Sequence, residues 1–186
     1  LAKRFGADAL NLVQAMRQGA DTLADAATQA LLAQRELADA MQQAVQNGLE
    51  TVPNLPAPVQ ALLRDAETWP DWVEPERLQR GVEAYLGVGA LWLSISLGPG
   101  SLAHTYSSPS IARQLITTGN LEARAMRRLQ ETANWQYNTL RPGGLLRGAP
   151  GYVHTLQVRL LHARVRANML SRGWGEVPIN QLEMMR

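Results

Sequence analysis

Apolar residues in this chain recur every three or four positions, and no β-branched run alternates in period two, which restricts the fold to helices packed on helices. Composition points the same way. Hydrophobic residues make up 46% of the 186 positions but aromatics only 5%. Much of the apolar count is alanine, whose small side chain favours close helix–helix packing over a sheet core. The expectation is an all-α protein with one full core, to which a helical segment is appended.

Glycine and proline punctuate the helices. The first fifty residues read as two alanine- and glutamine-rich helices broken near Gly19, with Leu10, Val13, Met16 and Ala20 at helical spacing in one and Leu37, Met41 and Val45 in the other. This N-terminal extension, residues 1–50, suits packing on the main body or self-association into a homo-oligomer. Residues 51–58 form a linker, because three prolines in six residues exclude a helix interior. The remaining 59–186 form a helical domain. Its expected elements are a short helix over 59–65, a loop at Trp69-Pro-Asp-Trp72, and a helix opened by Pro75 that runs to Leu97 and ends at Gly98-Pro-Gly100. A helix begun at Ser108-Pro109 and closed at Thr118-Gly119 follows. Next come a helix over 121–140, capped by Asn120 and broken at Pro142-Gly-Gly144, and one over 151–171.

Several function classes drop out. A formal charge of +2 is too small and too mixed to argue for a nucleic-acid partner. The absence of cysteine removes disulfides, zinc–thiolate sites and thiol nucleophiles. The longest apolar run, Tyr85 to Leu97, has thirteen residues, whereas a bilayer span takes roughly twenty, so it reads as a buried core helix and no transmembrane segment is expected. A soluble, cytoplasmic chain is favoured, although Leu1 in place of an initiating Met leaves a removed export leader open. The Pro178-Ile-Asn-Gln-Leu-Glu-Met-Met-Arg186 end reads as the start of a helix that stops early, the mark of a fragment truncated at its C-terminus.

Two segments carry chemistry. In Val158-Arg-Leu-Leu-His-Ala-Arg-Val-Arg166, the residues Val158, Leu161, Val165 and Met169 form a helical stripe with His162 at its margin. Arg159 and Arg166 flank that histidine one turn away on either side. An imidazole so placed suits an iron porphyrin, whose metal needs a nitrogen, whose ring needs apolar walls and whose propionates need cations. It equally suits a core-edge histidine bonded to a backbone carbonyl. In residues 120–135, Arg128 and Thr132 are four apart and stack on one face near Leu121, Ala125 and Trp135. A guanidinium there pairs with Glu131 or Glu122, snorkels to solvent, or forms with Thr132 a donor pair for dioxygen. Serine triads, phosphate cradles and zinc sites find no support: His104 lies in a loop, neither it nor His154 has a recognisable partner in the sequence, and no strand precedes the glycine turns.

These segments, with Tyr106-Ser-Ser-Pro-Ser-Ile-Ala-Arg113, Thr118-Gly119, Arg127-Arg-Leu-Gln-Glu-Thr132 and Pro178-Ile-Asn-Gln181, resemble the rubber oxygenase (latex clearing protein) and mycophenolic-acid B-type oxygenase catalytic domain family. The resemblance covers roughly residues 75–186 as five ordered blocks. It implies a globin-like helical core holding haem b without covalent attachment, with His162 as the axial iron ligand and Arg128 and Thr132 in the haem pocket. Arg159 and Arg166 match the family's other recurring arginines and either pair with propionates or support the ligand helix. The implied activity is oxygen-dependent cleavage of a carbon–carbon double bond in an isoprenoid-like substrate. Rubber-cleaving members carry a lysine just before the pocket threonine, where this chain has Glu131, a group suited to act as a base or to orient Arg128. That departure argues against polyisoprene and for another apolar unsaturated substrate. Two alternatives stand beside this oxygenase: a non-catalytic helical interaction module, and a haem-based oxygen or redox sensor.

Overall fold

A computed structural model describes residues 2–117 and 125–184, and among them the chain is helical throughout, with no strand. The helices are α1 (Ala2–Phe5), α2 (Ala7–Gln18), α3 (Thr22–Ala33), α4 (Ala38–Asn47), α5 (Ala57–Glu67), α6 (Pro75–Gly87), α7 (Ala90–Ile95), α8 (Ala103–Tyr106), α9 (Pro109–Thr117), α10 (Ala125–Leu140), α11 (Pro150–Ser171) and α12 (Gln181–Met184). Among the described residues no single helix is long and apolar enough to cross a membrane.

The core forms where α3 meets α5 and α11, with α4 closing one side. Ala24 and Ala27 on α3 are fully buried, and their short side chains bring the partner helices close. Against them pack Val59, Leu62 and Leu63 of α5, spaced i, i+3, i+4, and Tyr152, Leu156 and Ala163 of α11. Met41, Ala44 and Val45 of α4 complete the cluster. Residues 22–47, within the expected N-terminal extension, supply five of the twelve buried residues of this cluster, so the extension packs on the main body. The second N-terminal helix was expected unbroken; it is interrupted by a 3-10 turn at Arg35–Leu37, which folds α4 back onto the same core. Leu55, in the proline-rich stretch, is buried there too, with its carbonyl accepting from Gln60 Nε2 at 2.7 Å.

The helix expected to run from Pro75 to Leu97 is divided. Gly89, at φ 86°, interrupts it between α6 and α7, and Gly98-Pro99-Gly100 then passes through a π-helical stretch, Ser96–Leu102, instead of ending the helix. Pro99 has no N–H to continue an α-helical ladder, and the π-helical stretch spans it. The run from Tyr85 to Leu97 is also not buried: Leu91 is 69% and Trp92 64% exposed. α9 is tied to the C-terminal turn by Gln114 Nε2 donating to Glu183 Oε2 at 2.8 Å and by the Arg113 guanidinium lying 4.2 Å over the Trp174 ring.

α10 and α11 form a tight antiparallel hairpin. The turn at Pro142-Gly143-Gly144 closes with the Tyr152 N–H on the Gly144 carbonyl at 2.9 Å. Arg147 fastens the turn to the body by donating to Glu50 Oε1 and Glu67 Oε2, each at 2.7 Å. Pro150 occupies the first turn of α11, and at its far end Gly173, at φ 78°, terminates the helix. The Thr118-Gly119 stop and the Asn120 cap lie outside the described residues.

Candidate functional site

α11 presents two faces. The buried one carries Tyr152, Leu156, Ala163, Arg166 and Met169 and packs on the α3 side. The expected core stripe lies on the other: Val158 and Val165 are half-buried and Leu161 is 54% exposed, with only Met169 of that set buried. The reason is Arg159 and Arg166, which turn towards acidic residues of α3 and α5 and take the body-facing side of the helix. His162 is half-buried, at the margin between this face and the buried one.

Both flanking arginines are held by carboxylates. Arg159 donates from Nε and Nη2 to the two oxygens of Asp21, at 2.8 and 3.1 Å, and from Nη1 to Asp65 at 3.2 Å. Asp21 also caps α3 by accepting from the Ala24 N–H at 3.1 Å. Burial works to raise the Asp21 pKa, but the hydrogen bonds from Arg159 and from the Ala24 N–H outweigh it and hold the carboxyl below its ordinary range. Arg159 is shifted up in turn, chiefly by its hydrogen bonds to Asp21. Arg166 is only 3% exposed and donates from Nε to both Asp25 oxygens at 3.0 and 3.1 Å. Its Nη1 donates to the Ile179 carbonyl at 2.7 Å. Their charge is balanced within the protein, and they anchor α11 to α3 and to the C-terminal turn.

α10 brings the second segment alongside. Trp135 Nε1 donates to Thr155 Oγ1 at 3.0 Å, which fixes the register of the hairpin. One turn before Trp135 stand Glu131 and Thr132, and both are exposed. So are residues 127, 129, 130, 133 and 134, which together point all round the helix. The N-terminal half of α10 therefore leaves α11 and stands clear of the body. Glu131 accepts from Arg127 Nε at 2.7 Å, so Arg127 holds the carboxylate expected to orient Arg128. Arg128 lies on α10 by its backbone, and its side chain lies outside what is described.

Arg128 and His162 are each seven residues, two turns, from the Trp135–Thr155 pair in opposite chain directions, hence at one axial level of an antiparallel hairpin. Among the described residues no three His, Asp or Glu side chains converge as a chelating set; the group to set against this segment is the iron porphyrin that the sequence resemblance implies. The residues fit that group in the single imidazole and the apolar wall of Val158, Leu161 and Val165. They do not fit it in Arg159 and Arg166, whose guanidiniums face away into carboxylates. A cleft of about 650 Å³ lies elsewhere, between α2 and the C-terminal turn, lined by Gln14, Arg17, Trp174, Glu176 and Asn180, and neither His162 nor α10 contributes to it.

The aspartates that engage the arginines were missed in sequence. Asp21 could have been recognised as an N-cap from its place before an alanine-rich helix, but its pairing spans 138 positions and has no local signal. The Asn180–Glu183 capping box was available from spacing alone: the Glu183 N–H donates to Asn180 Oδ1 at 3.1 Å, and the Asn180 N–H donates back to Glu183 Oε2 at 3.3 Å. Comparison with protein-family models, curated proteins and solved structures finds no match.

Proposed function

We propose that this chain supplies the ligand helix and the facing helix of a haem b-dependent oxygenase acting on an apolar, unsaturated, isoprenoid-like substrate. The observation that carries the reading is the half-buried His162 at the margin of the partly open apolar stripe of α11, level with position 128 of α10. In this reading the globin-like arrangement is completed around that stripe. His162 holds the iron through one ring nitrogen, and Val158, Leu161 and Val165 exclude water from the macrocycle. Haem b, when bound, supplies the iron at which dioxygen is activated. From α10, Arg128 contributes a cation and Thr132 a hydroxyl to the facing side, and Glu131 holds or moves a proton there. Arg159 and Arg166 act as supports of the ligand helix.

Haemin added to the purified protein, followed by absorption spectroscopy, tests the ligand role, and oxygen consumption with a prenylated alkene tests the chemistry. A haem-loaded protein that consumes no oxygen with any alkene would be the sensor instead. The non-enzymatic reading has its own support in the exposed apolar side chains of α6 and α7, with Leu86, Val88, Leu91, Trp92 and Ile95 open to solvent. It treats the chain as a helical interaction module. Lack of haem uptake together with concentration-dependent association favours that module; association through α2, whose Leu12 is exposed, gives the homo-oligomer.

A further inference from the structure

The cleft between α2 and the C-terminal turn, about 650 Å³, has the size of a small-molecule site. Its α2 wall carries Gln14, Arg17 and Gln18, spaced i, i+3, i+4 on one helix face. All three are exposed, and among the described residues none of their side chains is held by a hydrogen bond or ion pair. The facing wall is Trp174, Glu176 and Val177, with Leu170 from the last turn of α11. Arg17 and Glu176 do not pair across the cleft, so this guanidinium has no internal counter-charge among the described residues, unlike those of Arg159 and Arg166. Trp174 is half-buried, and the Arg113 guanidinium lies 4.2 Å over its ring without lining the cleft, so it backs the indole from outside. A ring with a cation on one face offers the other to an apolar or electron-rich plane, not to a second cation.

The two walls are fastened to each other before any ligand arrives. The Gln181 N–H donates to the carbonyl of Gly19, just past α2, at 3.0 Å. Asn180, which lines the cleft, is 6% exposed and donates from Nδ2 to the Val177 carbonyl at 3.0 Å. Between Val177 and Asn180, Ile179 is the only described non-glycine residue with a positive φ, 53°, a costly conformation for a β-branched side chain. Arg166 Nη1 holds it there by donating to its carbonyl at 2.7 Å. Backbone strain of this kind gathers at ligand clamps, and a preformed wall spares a ligand the cost of ordering it.

We propose that this cleft binds a planar aromatic carboxylate. The carboxylate seats on the α2 wall, where Arg17 supplies the charge and Gln14 and Gln18 supply amide donors. The aromatic body lies against the free face of Trp174, between Leu170 and Val177. Glu176 repels the head group from the turn wall and so fixes which way round the ligand lies. His162 and α10 do not line the cleft, so the site is independent of the haem reading.

Isothermal titration of the full chain with naphthoate, and with naphthol as its uncharged counterpart, tests the proposal. The expected result is saturable binding of one naphthoate per chain, with a Kd of about 1 mM or tighter, and about tenfold weaker binding of naphthol. Arg17→Gln should weaken naphthoate about tenfold and leave naphthol unchanged. Trp174→Leu should weaken naphthoate about fivefold at parental helix content, and Glu176→Gln should tighten it about threefold. Arg172→Gln, which removes an exposed arginine of the same turn outside the cleft, should change nothing. Absence of saturable binding, or equal naphthoate affinity in the parent and Arg17→Gln, would overturn the proposal. An equal loss in Arg172→Gln would overturn it too, because the attraction would then be to charge anywhere on the surface. Should Trp174→Leu unfold, the exposed Arg17→Gln site decides by itself.

Discussion

Asp21 does two jobs with one carboxylate: it caps α3 and receives both arms of the Arg159 fork. Its folded pKa lies below the ordinary value of about 3.9 for an unfolded aspartate, so the stability it contributes is fully present above that value. It is lost as pH falls through the lowered folded pKa. Asp21→Asn separates the two jobs, because asparagine caps as well as aspartate but carries no charge. The variant should be destabilised by about 1 kcal/mol at pH 7, the scale of a charge-assisted hydrogen bond in a partly exposed site. Its urea midpoint should also fall less than the parent's between pH 6 and pH 3. An equal acid loss in both proteins would show that the Asp21–Arg159 pair does not contribute. Tyr152 behaves differently: burial first, and then Glu67, push its pKa up to about 12, so it remains a neutral donor at working pH.

Among the elements, the α10–α11 hairpin depends on the absence of a side chain at Gly151. A Cβ built there meets the Asn138 and Gly144 carbonyl oxygens at 2.5 Å, backbone atoms that have no rotamer to escape into. Gly151→Ala should cost about 1–3 kcal/mol, read as a lowered denaturation midpoint, whereas Gly81→Ala, in open space on α6, should be neutral or mildly stabilising. Equal midpoints would mean that the hairpin is looser than its geometry. The hairpin also shows what the chain made legible. The helix expected over 151–171 is α11, Pro150–Ser171, almost to the residue, because break signals such as Pro142-Gly-Gly144 act within one turn. Of the helically spaced set Leu37, Met41 and Val45, the last two are buried in the core. Which face of α11 would be buried was not legible: arithmetic chose the apolar stripe, and partners 94 to 141 positions away turned the arginine face inward instead. The candidate site was readable as residue types at spacing. Its geometry depends on the register that Trp135 and Thr155 set between two helices, and no local pattern encodes that contact.

Across the whole molecule, packing is uneven. α3, α4, α5 and α11 share the buried apolar cluster, while α6, α7 and α8 are open to solvent. Limited chymotrypsin digestion should therefore cut first at Trp69, Trp72, Tyr85 or Trp92 and leave the 22–67 and 150–171 segments associated. Early cleavage inside those two segments would contradict the assigned core. Truncating the centre of that core, Leu62→Ala, should destabilise by about 2–5 kcal/mol. The central functional proposal is that the half-buried His162 of α11 ligates iron, and a haemin titration of the parent against His162→Ala tests it most directly. The account predicts saturable uptake with a Soret band in the parent, and loss or displacement of that band in the variant at unchanged helix content. Equal haem uptake and identical spectra in the two proteins would contradict it.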